Sequence, residues 1–452
     1  MDVGLLLKIG TNLLRFRGLD KSTRDHIISV QSSSLANLRK HAIRKSSFYR
    51  KFHRGLEGRP LSDLPILTKP VVMDNFDDVV TDNRIKLKSV ENYLAAGDFS
   101  RKFVDRYHVL STSGSTGRRG IFLSDNSEWA AYMANLSRVF VWAGKGPSPT
   151  NKRKAAYITS TLPFTVSAHA AASVSRPGSK GLAIDTTEPF DQIIAKLNDW
   201  KPDVITTYAS MAGSLAHEQL SGRLKIAPEI IVTAAEVLTQ EIRNKVSRAW
   251  GDILFNVYGA TEGAIGAECD RHTGLHVFED CVIPEVVDAA GKPVPRGEYG
   301  ERLLVTVLYR HTQPLIRYEI SDMVKISKES CPCGRPFALI ADVQGRREDV
   351  LYFPRTGGGE IAINPIFFEP ILGPIRASAW QLNQEQDRLV LLFSGLAEDV
   401  SVEEVGDTLR IKLQSEGAIP PPIVVQRVDA IPRSATGKAP LIKSNRVEAH
   451  PS

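Results

Sequence analysis

Cysteine is scarce in this chain: four in 452 residues, which excludes a disulfide framework. Long apolar runs are missing too. No segment approaches the ~20 apolar residues needed to span a bilayer. Leu5-Leu6-Leu7 is interrupted by Lys8, and Arg15 and Arg17 follow. That opening lacks a basic start, an unbroken apolar core and a small-residue cleavage site, so it reads as a docked amphipathic helix rather than a secretory leader. No run of five like charges occurs. The +6 net charge, from 57 basic and 51 acidic residues, is spread along the chain and gives no nucleic-acid surface. Internal repeats and low-complexity tracts are absent as well. What remains is a soluble, cytoplasmic expectation. Hydrophobic residues at 42% and charged residues at 24% are globular values, and 452 residues call for two or three domains.

Residues 1–100 read as helical and polar, broken at Pro60, Pro65 and Pro70. From Gly120 strand and helix alternate. Residues 191–200 place Ile193, Ile194 and Leu197 at helical spacing, and Lys201-Pro202 ends the pattern. Val204-Ile205 opens a short strand. Ile230-Ile231-Val232 runs into Ala234-Ala235-Glu236, and a helix follows with Thr239 as N-cap and Gly251 as its stop. Residues 253–258 form another apolar strand that empties into Gly259. This rhythm predicts an α/β fold with a mostly parallel sheet flanked by helices. Ligands in such sheets bind beyond the carboxyl ends of the strands, where Glu236 and Glu262 lie. After Arg317 the chain turns β-rich. A smaller α+β unit is legible from about 350: a strand at 389–393, a helix at 402–413 and a strand at 423–428. The expected division is an N-terminal domain over 1–347 (helical 1–100, α/β 101–300, β-rich 301–347) and a small C-terminal domain over 348–452. A hinge near Glu348 and Asp349 would join them.

Five motifs follow one another. The first is Thr112-Ser113-Gly114-Ser115-Thr116-Gly117-Arg118-Arg119-Gly120. No lysine follows Gly117, so it is not a Walker A loop. Small hydroxyl and glycine residues let backbone N–H groups close on phosphate oxygens, although such a run also suits an ordinary polar loop. Then come Tyr258-Gly259-Ala260-Thr261-Glu262, Arg317-Tyr318 with Asp322, Gly345-Arg346, and Pro432-Arg433-Ser434-Ala435-Thr436-Gly437-Lys438. In this order and spacing the set resembles the adenylate-forming superfamily of acyl-CoA synthetases, its phenylacetate-CoA ligase-like branch most closely, over roughly residues 30–445.

The resemblance implies an enzyme that joins a carboxylic acid, aryl or otherwise apolar, to the α-phosphate of ATP. The acyl group would then pass to coenzyme A. An amine or a carrier-protein thiol is the alternative acceptor, and a non-catalytic nucleotide-binding homologue the alternative to an enzyme. It implies a phosphate cradle at Ser113, Gly114, Ser115, Thr116 and Gly117; an adenine-contacting segment at Ala235 and Glu236; and Tyr258 and Gly259 beside the adenine. Thr261 would meet the α-phosphate, Glu262 Mg²⁺, Asp322 the ribose hydroxyls, and Arg346 the nucleotide at the domain junction. Lys438 would bridge substrate carboxylate and α-phosphate as a compact positive charge, brought in by domain rotation. In an unrelated chain a lysine in a glycine-flanked loop is simply solvated.

Metal is a separate question. Cys331-Pro332-Cys333-Gly334 with Cys269 and His276 offers a Cys3His set of the kind Zn²⁺ takes tetrahedrally, with Cys281 and His272 in reserve. Buried reduced cysteines are the alternative. Phenylacetate-CoA ligase-like proteins carry the same pattern, which favours zinc. For the acid pocket the candidates are Tyr157, Phe164, His169 and Tyr208; Met211 reads as core.

Overall fold

The computed structural model describes residues 3–99, 101–112, 119–146, 153–174 and 180–444. The chain divides into two compact units. The first takes in Met1–Arg153, Ser160–Ala183 and Phe255–Val343; the second takes in Lys154–Thr159, Ile184–Leu254 and Gln344–Ser452.

In the first unit the opening stretch is helical, as its sequence implies. Val3–Leu19 buries Leu5, Ile9, Phe16 and Leu19. Arg24–Lys45 follows, its N-terminus capped by Thr23, whose hydroxyl accepts from the His26 N–H. No helix among the described residues is long and apolar enough to cross a membrane. A hairpin of His108–Ser111 and Ile121–Ser124 leads into helix Asn126–Trp142. That helix starts on a capping box in which Asp125 accepts from the Glu128 N–H and Glu128 reaches back to the Asp125 N–H.

The strands of this unit run antiparallel. Leu254–Gly259 pairs with Ala264–Glu268, and that strand with Leu275–Val277. Leu339–Arg346 pairs along the far side of Leu275–Val277. A second, three-stranded antiparallel sheet comprises Val282–Val287, Arg302–Val307 and Tyr318–Ile320. The β-rich texture expected from residue 301 therefore begins earlier, at Leu254. Alternation cannot reveal this, because Ala264–Glu268 and Leu275–Val277 are buried throughout and carry no polar face.

The second unit holds the parallel strands. Ala155–Thr159, Val204–Thr207 and Ile230–Ala234 pair side by side. Their helices are Phe190–Trp200, Ala209–Leu220 and Gln240–Trp250. Thr239 caps the last, accepting from the Ile242 N–H, and Gly251 closes it at φ 82°. The unit also contains a four-stranded sheet in the order Ile423–Val428, Leu389–Ser394, Ala379–Gln384, Ile442–Ser444. Together with helix Val402–Ser415 it encloses a core including Phe353, Phe368, Leu391, Phe393, Leu409 and Leu413. All members of that core lie between residues 351 and 442. The expected hinge region falls on a single 3-10 turn, Arg347–Asp349.

Candidate active site

Two segments of the first unit carry residues expected from the motifs. Ser113, Gly114, Ser115, Thr116 and Gly117 lie outside the described residues, but both feet of their loop are held. The Thr112 N–H donates to the Gly120 carbonyl at 2.9 Å, and the Gly120 N–H donates to Thr112 Oγ1 at 2.8 Å. The Ser111 N–H donates to the Phe164 carbonyl at 2.9 Å, and the Arg119 guanidinium sits 5.4 Å from the Phe164 ring centre. The two strands that flank the Ser/Gly-rich segment in sequence are thus joined in register up to Thr112 and Gly120.

The second segment is the turn Tyr258-Gly259-Ala260-Thr261-Glu262. Strand pairing shifts register between Tyr258 and Gly259, a bulge of the kind that re-aims side chains. The turn closes through Ala260 N–H to Gly263 carbonyl at 2.9 Å, with the Tyr132 hydroxyl donating to the Ala260 carbonyl at 3.0 Å. Glu262 is buried, and its Oε1 accepts from the Tyr318 hydroxyl at 3.1 Å. Arg310 fixes the backbone there by donating to the Glu262 carbonyl at 3.0 Å. Burial and the neighbouring carboxylate hold the Tyr318 phenol well above its usual range, so it stays a donor. On the other side of the bulge the Tyr258 hydroxyl donates to Asp322 Oδ2. Four residues expected at the site from two separate motifs, Tyr258, Gly259, Glu262 and Asp322, are therefore tied to one turn.

Arg317 holds this arrangement from behind. It has φ 52°, is buried, and pairs through Nε with Glu285 at 3.1 Å while donating to the Ser62 carbonyl at 2.8 Å. Sequence reasoning quoted Arg317-Tyr318 as a motif without giving Tyr318 a site role, and missed Arg310 and Tyr132. Tyr318 stands beside Arg317 in the motif itself; Arg310 and Tyr132 carry no local signal.

Two of the acid-pocket candidates belong to this unit. His169 packs against Trp129 at 5.8 Å and His108 at 5.9 Å between ring centres, and burial pushes its imidazole down to about 4. It is a neutral, aromatic-lined group. Phe164 lies beside the foot of the Ser/Gly hairpin.

The cysteines converge in the same unit. Donor atoms of Cys269, His276, Cys331 and Cys333 all lie within 4.8 Å of one another. Cys269 Sγ and Cys331 Sγ are 3.6 Å apart, and Cys333 Sγ and His276 Nε2 are 3.3 Å apart. A tetrahedron with Zn–S bonds of ~2.3 Å has an edge of about 3.8 Å, so the set fits a zinc ion. It is too open for S–S bonds of ~2.05 Å. The register Ala267↔His276 brings Cys269 and His276 together, and Gly266 permits it, since a Cβ there would sit 2.6 Å from the His276 carbonyl oxygen. Neither reserve ligand joins the cluster. Cys281 is wholly buried near Arg138 and Asp280, and His272 faces Glu268 at 3.4 Å.

The second unit holds the remaining candidates. Ala235 has φ 68°, an uncommon conformation for a residue with a Cβ, and Glu236 follows it. Glu236 Oε2 accepts from the Ser210 N–H at 2.8 Å and Oε1 from the Ala439 N–H at 2.8 Å. The Tyr208 hydroxyl donates to the Thr436 carbonyl at 3.2 Å. Lys438 sits between those two anchored positions. Its loop also closes on itself, Ser434 N–H to Lys438 carbonyl and Gly437 N–H to Ser434 carbonyl, both at 2.8 Å. Tyr157 is half-buried on strand Ala155–Thr159, where burial raises its phenol. Met211 is core, 1% exposed. Arg346 is half-exposed and 3.6 Å from Glu348.

Comparison with known proteins completes the picture. Residues 101–306 match the family model of the AMP-binding enzymes. The chain is 26% identical over 353 residues to the phenylacetate-coenzyme A ligase of Thermus thermophilus, spanning 74% of this chain and 73% of that one. It is likewise 26% identical over 355 residues to the Escherichia coli phenylacetate-coenzyme A ligase, 74% of each. Among solved structures, 2-hydroxyisobutyryl-CoA ligase in a postadenylation state has the same fold, at TM-score 0.72 and 17% identity over 94% of this chain and 91% of that one. The chain is thus similar to the AMP-binding enzymes over residues 101–306 and, over about three quarters of its length, to phenylacetate-coenzyme A ligases.

Proposed function

We propose that this protein is an AMP-forming ligase that activates a carboxylic acid with ATP as an acyl-adenylate and then transfers the acyl group to coenzyme A. The observation that carries the reading is the turn at 258–262, where a buried carboxylate on Tyr318 and the Tyr258–Asp322 pair are fixed by a single bulge. Preorganised polar groups of this kind are what stabilising charge on a transferring phosphorus requires.

Within the reading, Asp322 accepts hydrogen bonds from the ribose, Tyr258 lies against the adenine, Thr261 meets the α-phosphate, and Ser113, Gly114, Ser115, Thr116 and Gly117 cradle the outer phosphates. Glu262 offers the carboxylate that Mg²⁺ favours; the ion, when bound, would offset phosphate charge. Ala235 and Glu236 are assigned to the adenine side and Arg346 to the nucleotide. For Lys438 the support is its motif and the way its loop is held. His169 and Phe164, with Tyr157 and Tyr208, are assigned to the acid, which a neutral histidine among aromatic rings suits if that acid is apolar. Zinc at Cys269, His276, Cys331 and Cys333 would be structural, because four protein ligands leave no open position. Residues 348–452 are assigned to a mobile domain with its own core.

The test is acid-dependent ATP–pyrophosphate exchange over a panel of aryl and alkyl acids, followed by acceptor assays. Exchange with an apolar acid, then thioester formation with coenzyme A, is expected. Exchange followed by amide formation alone, or by transfer to a carrier protein alone, would replace the acceptor; no exchange with any acid would overturn the reading.

A further inference from the structure

We propose that Glu236 and Tyr208 are positioning residues for Lys438: they clasp its loop on both sides and set the pose in which the lysine acts. The inference rests on the adenylating function proposed above. The clasp lies wholly in the second unit. The Tyr208 hydroxyl takes the Thr436 carbonyl, two residues before the lysine, and Glu236 Oε1 takes the Ala439 N–H, one residue after it. Between them Gly437 lies at φ 74° against Thr186, so closely that a Cβ would stand 1.8 Å from Thr186 Oγ1. The Arg433 guanidinium closes the inner side, donating to the Gly437 carbonyl at 3.0 Å.

Both clasping side chains are themselves fixed. Tyr208 is the N-cap residue of helix Ala209–Leu220 and is 3% exposed. The second oxygen of Glu236 accepts the Ser210 N–H in the first turn of that helix, where a carboxylate is stabilised by the helix dipole. A side chain that spends both carboxylate oxygens on backbone N–H groups, one of them adjacent to Lys438, is placed to orient the loop. Its contribution to the reaction would pass through Lys438.

A double-substitution cycle tests this. ATP–pyrophosphate exchange is measured for the full chain, Glu236→Gln, Tyr208→Phe, Lys438→Ala, and each clasp variant combined with Lys438→Ala. Deuterium uptake of the 434–440 segment is followed in parallel. A glutamine keeps one acceptor oxygen where the carboxylate had two, so it cannot serve both N–H groups with oxygen. Loss of a hydrogen bond to a charged group is expected to lower the exchange rate by about tenfold. The KM for ATP should hardly move in Tyr208→Phe, whose residue is not assigned to the nucleotide, and deuterium uptake at 434–440 should accelerate in both variants. In the Lys438→Ala background, at saturating ATP and acid, neither substitution should slow exchange further, since the group they position is gone. Multiplying effects of Tyr208→Phe and Lys438→Ala, a rise confined to the KM for ATP in Tyr208→Phe, or unchanged deuterium uptake in both clasp variants would overturn the proposal. If the unsubstituted chain supports no exchange, the proposed function fails, while deuterium uptake still decides whether the clasp exists.

Discussion

Removing one cysteine from the Cys269, His276, Cys331, Cys333 cluster should damage the fold more than the chemistry. Cys331 is 5% exposed, its sulfur is 3.6 Å from Cys269 Sγ, and the Cys331 carbonyl accepts from the Gly334 N–H, so Cys331 anchors the turn that carries Cys333. Cys269 and His276 belong to a neighbouring hairpin, which makes a bound zinc the link between two stretches some sixty residues apart in sequence. Structural zinc in small peptides contributes ~10–16 kcal/mol of apparent binding free energy, as much as an ordinary domain's whole stability of ~5–15 kcal/mol. If Cys331→Ser forfeits only about 3 kcal/mol of that, the melting temperature of a unit of this size should fall by roughly 6–12 °C. Serine preserves the volume, so packing alone would cost far less. Elemental analysis should find about one zinc per chain in the unsubstituted protein, and calorimetry should show the shift. Activity at a permissive temperature should be largely kept. A metal-free protein of equal stability would refute the site. A metal whose removal abolishes activity without loosening the fold would refute its structural role.

Three further outcomes follow from other residues. Lys438→Ala should lower adenylation by ~10²–10³ and spare thioester formation from preformed acyl-adenylate; single-turnover assays of the two half-reactions separate these, and equal loss in both would contradict a lysine specific to one step. Tyr318→Phe removes only the hydroxyl that donates to buried Glu262 at 3.1 Å, and a lost hydrogen bond to a charged group corresponds to about 10–100-fold in exchange rate; partial compensation by raised Mg²⁺ is expected, and an unaffected rate would remove Tyr318 from the site. His53 concerns stability: it is 1% exposed, both ring nitrogens lack a partner among the described residues, and burial, reinforced by Arg39, pushes it down to about 4, with Glu57 opposing weakly. The native state thus binds fewer protons than the unfolded one. Its contribution is intact above the ordinary histidine value and is lost as pH falls from 6.5 towards 4, by about 2 kcal/mol at pH 5. Denaturant titrations of His53→Phe against the unsubstituted chain should differ in slope with pH over that window, and parallel curves would refute it.

Local signals in the sequence were read where the physics is local. Thr239 caps its helix and Gly251 ends it because an N-cap needs one hydroxyl two or three residues from a free N–H, and a C-terminal turn needs one residue tolerant of positive φ. The helical first hundred residues follow from the same short-range rules. The antiparallel run after Leu254 was harder to see, because a strand buried on both faces has no alternation to display. Gly266 hints at close approach only once its neighbour His276 is known.

The candidate site divides along the same line. Motifs identified Glu262, Asp322, Glu236 and Lys438, since each is a charged residue flanked by glycine, serine, alanine or an aromatic at a set spacing. The motifs did not say what each carboxylate touches. Glu262 depends on Tyr318, fifty-six residues away, and Glu236 on Ser210 and on Ala439, the latter 203 residues away. Those partners matter chemically. A carboxylate whose oxygens are already engaged by fixed donors does not swing to meet a ligand; it holds one pose, and the ligand or loop must come to it. For Glu262 that favours a rigid point for charge. For Glu236 it favours a fixed stop for the loop bearing Lys438, so two acids that look alike in sequence are held for different ends: one orders what binds, the other what moves.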